Sequence, residues 1–198
     1  VRDPNFVPGM FTLTITSGGL STTSSAFQIY ARGTQLVWNP APATSTGGEM
    51  EDTNLNVQPG LDVLDEDNNL VTAGAHSDGT MTIEVVSGGA FMTGTLSGTA
   101  VGGHFTFSNV KFTRQGDYVI RGEVAGGPNL QSGVDSASLE IHPLATAIEF
   151  VQQPVGNVLP NTPLFQQPTF RLVDALGNAV TDGPNANGHV ITVDASGT

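Results

Sequence analysis

The 198-residue chain carries 25 Gly, 12 Pro, 23 Thr and a single Lys, so it is rich in turn formers and predicts an all-β protein of one large or two smaller domains. Eighteen acidic against six basic residues give a net charge of −12, which disfavours nucleic-acid and anionic-membrane partners, and no apolar run reaches the roughly 18 residues of a membrane-inserted helix. The absence of Cys excludes disulfides, thiolate metal sites and Cys nucleophiles, and the start at Val1 reads as a mature, excised or partial chain.

In chain order, strands are predicted at 35–38, 54–57, 61–64, 81–86, 104–107, 117–124 and 137–141, where apolar residues alternate with others or β-branched and aromatic types gather. Between them Pro40-Ala-Pro42, Gln58-Pro-Gly60, Asp67-Asn-Asn69, Ser77-Asp-Gly79, Gly102-Gly103 and Gly126-Gly-Pro128 read as turns. Gly and Asn tolerate positive φ there, and Pro interrupts a ladder because it lacks an N–H. Seven short strands so spaced predict a β-sandwich, and no segment has a capped helical period.

The strongest signal is internal repetition. Thr34-Gln-Leu36-Val-Trp38 matches Thr146-Ala-Ile148-Glu-Phe150 at an offset of 112. Val63-Leu-Asp65-Glu-Asp-Asn-Asn69-Leu-Val71-Thr72 matches Leu172-Val-Asp174-Ala-Leu-Gly-Asn178-Ala-Val180-Thr181 at an offset of 109. The alternating stretches 81–86 and 190–193 follow, each leading to Ser-Gly (Ser87-Gly88, Ser196-Gly197). Toward the other end, Phe6-Val-Pro-Gly9-Met-Phe11-Thr-Leu13-Thr-Ile15 resembles Phe112-Thr-Arg-Gln-Gly116-Asp-Tyr118-Val-Ile120, and Ser25-Ala-Phe27-Gln-Ile29 resembles Ala137-Ser-Leu139-Glu-Ile141. The expected organisation is a C-terminal part of one unit (1–31), a complete unit (33–142) and an N-terminal part of a third (146–198). Tyr30-Ala-Arg-Gly33 and 144–148, the latter stiffened by Pro143, are the connections. The two parts together lack the counterpart of roughly 90–108.

Phe150-Val-Gln-Gln-Pro154, followed by Leu172-Val-Asp174 and Gly177-Asn178-Ala-Val180, resembles the F-x-x-Q-P … V-x-D-x-x-G-N-x-V pattern of bacterial-type Ig-like repeats. Gly94-Thr-Leu96-Ser-Gly98, Gly103-His-Phe105-Thr-Phe107-Ser-Asn109 and Gly116-Asp-Tyr118 continue that likeness in the complete copy, where Asn39-Pro40 replaces Gln-Pro and Asn68-Asn69 replaces Gly-Asn. The resemblance implies tandem Ig-like β-sandwich domains of large extracellular surface, adhesin or filament proteins. It encodes turns, and so speaks for fold rather than for a reaction.

Asp62, Asp65, Asp67 and Asn69 form a candidate Ca²⁺ loop, because oxygen ligands at close spacing suit a hard cation; the competing reading is a solvated hairpin turn. The loop lacks the central Gly and terminal Glu of an EF-hand, and its counterpart Asp174-Ala-Leu-Gly-Asn178 keeps one carboxylate. Glu49, Glu51 and Asp52 form a second acidic patch read the same way. His76, His104, His142 and His189 have no metal-ligand spacing, and no G-x-S-x-G, P-loop or dinucleotide motif occurs, so no catalytic or cofactor-binding residue is expected. Trp38, Phe105, Phe107, Tyr118, Phe150 and Phe170 are expected in sandwich cores, with a carbohydrate-stacking platform as the competing reading. Ser21-Thr-Thr-Ser-Ser25 and Pro40-Ala-Pro-Ala-Thr-Ser-Thr46 are candidate O-glycan stretches, and Lys111 is the sole lysine open to an isopeptide link.

Two partial sandwiches leave apolar faces and unpaired strand edges in water. The expected function is therefore an extracellular or cell-surface structural protein, not an enzyme. It would build a tandem Ig-like array or a head-to-tail homo-polymer through strand complementation. An adhesin or carbohydrate- or protein-binding module is the alternative.

Overall fold

The structure, a computed structural model, describes residues 9–43, 48–125, 133–156, 158–187 and 189–194. The expected turn at 126–128, the Ser196-Gly197 pair and Thr44, Ser45 and Thr46 of the second O-glycan stretch lie outside those residues. Seventeen strands and no helix occur among the described residues. They are β1 (Gly9–Phe11), β2 (Thr14–Ser17), β3 (Leu20–Thr23), β4 (Phe27–Ile29), β5 (Gln35–Trp38), β6 (Glu49–Met50), β7 (Gly60–Leu64), β8 (Thr80–Ser87) and β9 (Met92–Thr95). There follow β10 (Ser97–Thr99), β11 (His104–Thr106), β12 (Ser108–Phe112), β13 (Gly116–Ala125), β14 (Val134–Asp135), β15 (Leu139–His142), β16 (Ala147–Gln152) and β17 (Thr169–Val173).

The middle of the chain holds the core. One sheet runs β11-β7-β5 and the other β10-β8-β13-β15-β6, with β14 also on β13; β6 joins β15 in parallel and the other neighbours are antiparallel. Leu61 and Val63 from the first sheet, and Met81 and Ile120 from the second, are fully buried, together with Val71, Phe107, Val110 and Phe112. Each such side chain contributes about 1.5–3 kcal/mol by leaving water. Gly122 shows how closely the sheets approach: a Cβ there would stand 2.6 Å from Leu61 Cδ2, so only Gly lets β13 pass over β7. Phe112 and Tyr118 stack with ring centroids 4.2 Å apart, and the Tyr118 hydroxyl donates to the Arg114 carbonyl at 2.8 Å. Burial pushes the Tyr118 phenol above its ordinary pKa.

Six of the seven predicted strands are present to within one or two residues. The exception is 54–57, where only an isolated bridge joins Asn54 to Lys111. Pro59 offers no N–H to a ladder, and the Gln58 side chain takes the place of one, accepting from the Val110 amide at 2.7 Å and donating to the Leu55 carbonyl at 2.7 Å. The missed strands are β6, β9, β10, β12 and β14, of two to five residues each; short strands beside Gly and turn residues carry little alternation to read.

Candidate functional site: open faces of the terminal units

The ends of the chain reproduce pieces of the middle, hydrogen bond for hydrogen bond. β16 and β17 pair with Ala147 opposite Val173 and Ile148 opposite Leu172, as Gln35 stands opposite Leu64 and Leu36 opposite Val63 in β5 and β7. The following turns match as well. Asp65 Oδ1 accepts from the Asp67 and Asn69 amides, both at 2.9 Å, and Asp174 Oδ1 accepts from the Leu176 and Asn178 amides, both at 2.8 Å. Val71 then donates to the Val63 carbonyl and Val180 to that of Leu172, both at 2.9 Å.

At the other end, Gly9 opposite Ile29 and Phe11 opposite Phe27 repeat Gly116 opposite Ile141 and Tyr118 opposite Leu139. Thr14 opposite Thr23 repeats Arg121 opposite Asp135. The Ser24 amide donates to the Leu13 carbonyl at 2.8 Å while its Oγ accepts from the Leu13 amide at 2.9 Å. Ser136 does the same with Ile120, at 2.8 and 3.1 Å.

Equivalent backbones have unequal surroundings. Ile120 is wholly buried, whereas its counterpart Leu13 is 62 % exposed; Leu36 is 8 % exposed and its counterpart Ile148 57 %. Phe150, expected in a core, packs on Phe170 at 4.6 Å between ring centroids but remains exposed. A cleft of about 380 Å³ opens over the C-terminal piece, lined among others by Phe170, Leu172, Val180 and Ile191. Phe170, Leu172 and Val180 stand where the middle unit has Leu61, Val63 and Val71, all fully buried. The alternating stretch 190–193 forms no strand, and Val193 is 63 % exposed. Its counterpart β8 pairs with β13, whereas among the described residues no strand pairs with 189–194.

The joints between pieces also recur. Tyr30, at the end of the first piece, covers Gly74, where a Cβ would meet Tyr30 Cγ at 2.6 Å. His142, at the end of the middle unit, covers Gly183 in the same way, with Nδ1 3.6 Å from Asp182 Oδ1. Gly74 and Gly183 both have positive φ (92° and 76°) and occupy equivalent turns. Glu51 strengthens the second joint, its carboxylate accepting from the Gln115 amide at 3.0 Å and the Leu144 amide at 3.2 Å, and the Asn185 amide group donates to Met50 Sδ.

The candidate Ca²⁺ residues are not drawn to one point. Asp65 turns its carboxylate onto its own loop, in contact with the Asn69 side chain at 3.4 Å besides the two amides. Asp62 lies nearly buried on β7, accepting from Asn39 Nδ2 at 2.6 Å and contacting His104 Nδ1 at 2.5 Å. Among the described residues no three His, Asp or Glu side chains are grouped to hold a metal ion. In the equivalent turn, the hydrogen bonds from Asn178 hold the Asp174 carboxyl below its usual range. In the second acidic patch, Glu49 accepts from the Asn56 amide and Asp52 receives the Lys111 ammonium at 3.4 Å.

His104 Nε2 also contacts Thr106 Oγ1 at 2.9 Å, so Asp62, His104 and Thr106 form a hydroxyl–imidazole–carboxylate row that the sequence did not announce. It bridges β7 and the edge strand β11, and the Asp62 position is Arg171 in the repeat, paired with Glu149 at 2.6 Å. His76 is half-buried beside Gly33, and His189 lines the C-terminal cleft. In the first O-glycan stretch, Thr23 Oγ1 is hydrogen-bonded to Thr14 Oγ1, and Ser24 Oγ to the Leu13 amide and the Ser25 carbonyl. Comparison with protein-family models, with curated proteins and with solved structures finds no match for this chain.

Proposed function

We propose that the chain is a building block of an extracellular structural array, made of tandem Ig-like β-sandwich units that add length by stacking head to tail. The recurrence of one joint carries this reading: Tyr30 on Gly74 between the first and second pieces, and His142 on Gly183 between the second and third. A contact that repeats with the period of the sequence generates a regular, open-ended series, because each unit presents an unlike surface to the one before and the one after. The Tyr118 hydroxyl bonded to the carbonyl four residues upstream is the arrangement of a tyrosine corner and supports the Ig-like reading of the middle unit. The function so proposed is mechanical rather than catalytic, and the resemblance of the repeats to those of surface and filament proteins supports a position at the cell exterior. Sedimentation velocity and electron microscopy over a rising concentration series test the proposal. Threads with one uniform axial repeat are expected, and monodisperse 20.4 kDa particles at every concentration would overturn it.

A further inference from the structure

One cluster of polar side chains in the middle unit has no part in the joints. Side chains alternate along β11 and just beyond it, so Phe105 and Phe107 turn to the core while His104 and Thr106 share the outer face. β7 runs antiparallel beside β11, with Asp62 directly opposite His104. Asp62 Oδ1 lies 2.5 Å from His104 Nδ1, and His104 Nε2 lies 2.9 Å from Thr106 Oγ1. Asn39 Nδ2 donates to the other Asp62 oxygen at 2.6 Å. Exposure rises along the row, from the nearly buried Asp62 through the half-buried His104 to Thr106, which is open to solvent.

An ionised carboxylate only accepts hydrogen bonds, so Asp62 holds the imidazole with its hydrogen on Nδ1 and leaves Nε2 to accept from the Thr106 hydroxyl. That tautomer is the one a general base needs beside a nucleophilic hydroxyl. The backbone supplies a second group. β11 is the edge of its sheet and faces β7 through the Gly103 carbonyl, which accepts from the Val63 amide at 2.8 Å, and the Phe107 amide, which donates to the Pro59 carbonyl at 2.9 Å. By alternation the Thr106 N–H points the other way, to the open edge. Nor does the row serve the fold in general: Asp65, Val71 and Gly74 recur as Asp174, Val180 and Gly183, whereas the Asp62 position is Arg171.

We propose that Thr106 is an acyl-accepting nucleophile for carboxylic esters, with His104 as its general base and Asp62, held by Asn39, as the residue that positions the imidazole. Oγ1 bonds to the ester carbonyl carbon as its proton passes to His104 Nε2, and the carbonyl electron pair moves onto oxygen, where the Thr106 N–H donates to it. Return of that pair breaks the bond to the alcohol oxygen, which leaves with the proton from Nε2, giving acyl-Thr106 and a free alcohol. Water activated by the same imidazole then releases the carboxylic acid and restores the hydroxyl. Because Thr106 lies on an exposed edge strand, an ester carried on a larger molecule reaches it as a free one does. This activity adds to the mechanical role and does not rest on it, since every group belongs to the middle unit.

A fluorophosphonate tests the proposal in the full-length chain. Attack by Oγ1 forms the O–P bond and breaks the P–F bond, fluoride leaves, the proton passes to His104, and peptide mass mapping locates the stable phosphonyl ester. The adduct is expected on Thr106 and not on Thr95 or Thr99, exposed threonines of β9 and β10. His104→Gln and Asp62→Asn are expected to slow labelling at least about 100-fold at neutral pH, Thr106→Ser to retain it and Thr106→Val to abolish it. Asp62→Asn also changes the pH profile of labelling, which a carboxylate that merely braced two strands would leave unmoved. Trp38 emission verifies that each variant is folded, and the two substitutions at the exposed Thr106 keep the test decisive where Asp62→Asn unfolds the unit. Labelling of Thr106 no faster than that of Thr95 and Thr99, or undiminished in His104→Gln or in folded Asp62→Asn, would overturn the proposal.

Discussion

Truncating two equivalent side chains tests whether the terminal pieces are open. Ile120 is wholly buried on β13, and Leu13, its counterpart, is 62 % exposed. Ile120→Ala removes a side chain whose burial contributes about 1.5–3 kcal/mol and leaves a cavity, for a total near 2–5 kcal/mol. In urea, with a slope of about 1–3 kcal/mol per molar for a domain of this size, the unfolding midpoint falls by roughly 1–2 M. Leu13→Ala removes atoms already in water and changes the stability by no more than about 0.5 kcal/mol. Trp38, the only Trp, reports by fluorescence on the middle unit that holds Ile120, and far-UV circular dichroism also registers the first piece that holds Leu13. At concentrations where the chain associates, Leu13→Ala does register, because about 2 kcal/mol lost from the contact weakens association some 30-fold. An equal loss from both variants in dilute solution, or a silent Ile120→Ala, would refute the assignment of open and closed faces.

Three further outcomes follow. The Arg121 guanidinium holds the Asp135 carboxyl below its usual range, so this pair stabilises the fold above ordinary carboxylate pKa values, and the contribution is lost as pH falls through the depressed one. Asp135→Asn therefore removes part of the acid-side loss of stability seen by Trp38, and an unchanged acid profile would count against the pair. Gly74→Ala must hold a side chain at φ 92° and displace Tyr30, at a cost of about 1 kcal/mol or more, so trypsin cleaves faster after the exposed Arg32; an unchanged rate would deny the joint. Millimolar Ca²⁺ leaves the thermal midpoint where it was, because hydrogen bonds already engage the carboxylates of Asp62 and Asp65, whereas a rise of several degrees would restore that loop as a cation site.

Much of this architecture was legible in the sequence because turns and repeats leave residue-level marks. Asp65 with Asn69, and Asp174 with Asn178, are visible as a pattern because a carboxylate two and four residues before the amides it accepts defines the turn. β8 and β13 were legible because their buried residues alternate, and β7 because it is a short, almost wholly buried run that starts at the Gln58-Pro-Gly60 turn. The failures have a different cause. The 190–193 stretch has the pattern of a strand, but a strand also needs a neighbour, and pattern alone does not say whether one is there. The joints were invisible because Tyr30 and His142 are chemically unlike, and only the glycines opposite them, Gly74 and Gly183, agree. The contacts of Asp62 with His104 and Asn39 were out of reach of the sequence because they span 42 and 23 residues.

Hydrogen exchange resolved by peptide, measured across a concentration series, tests the central claim most directly. Head-to-tail association of the proposed array predicts that amides in 13–18 and in 189–194 exchange fast in dilute chain and become protected in step with the mass seen by sedimentation. Rapid exchange at both segments in fully assembled material would contradict it.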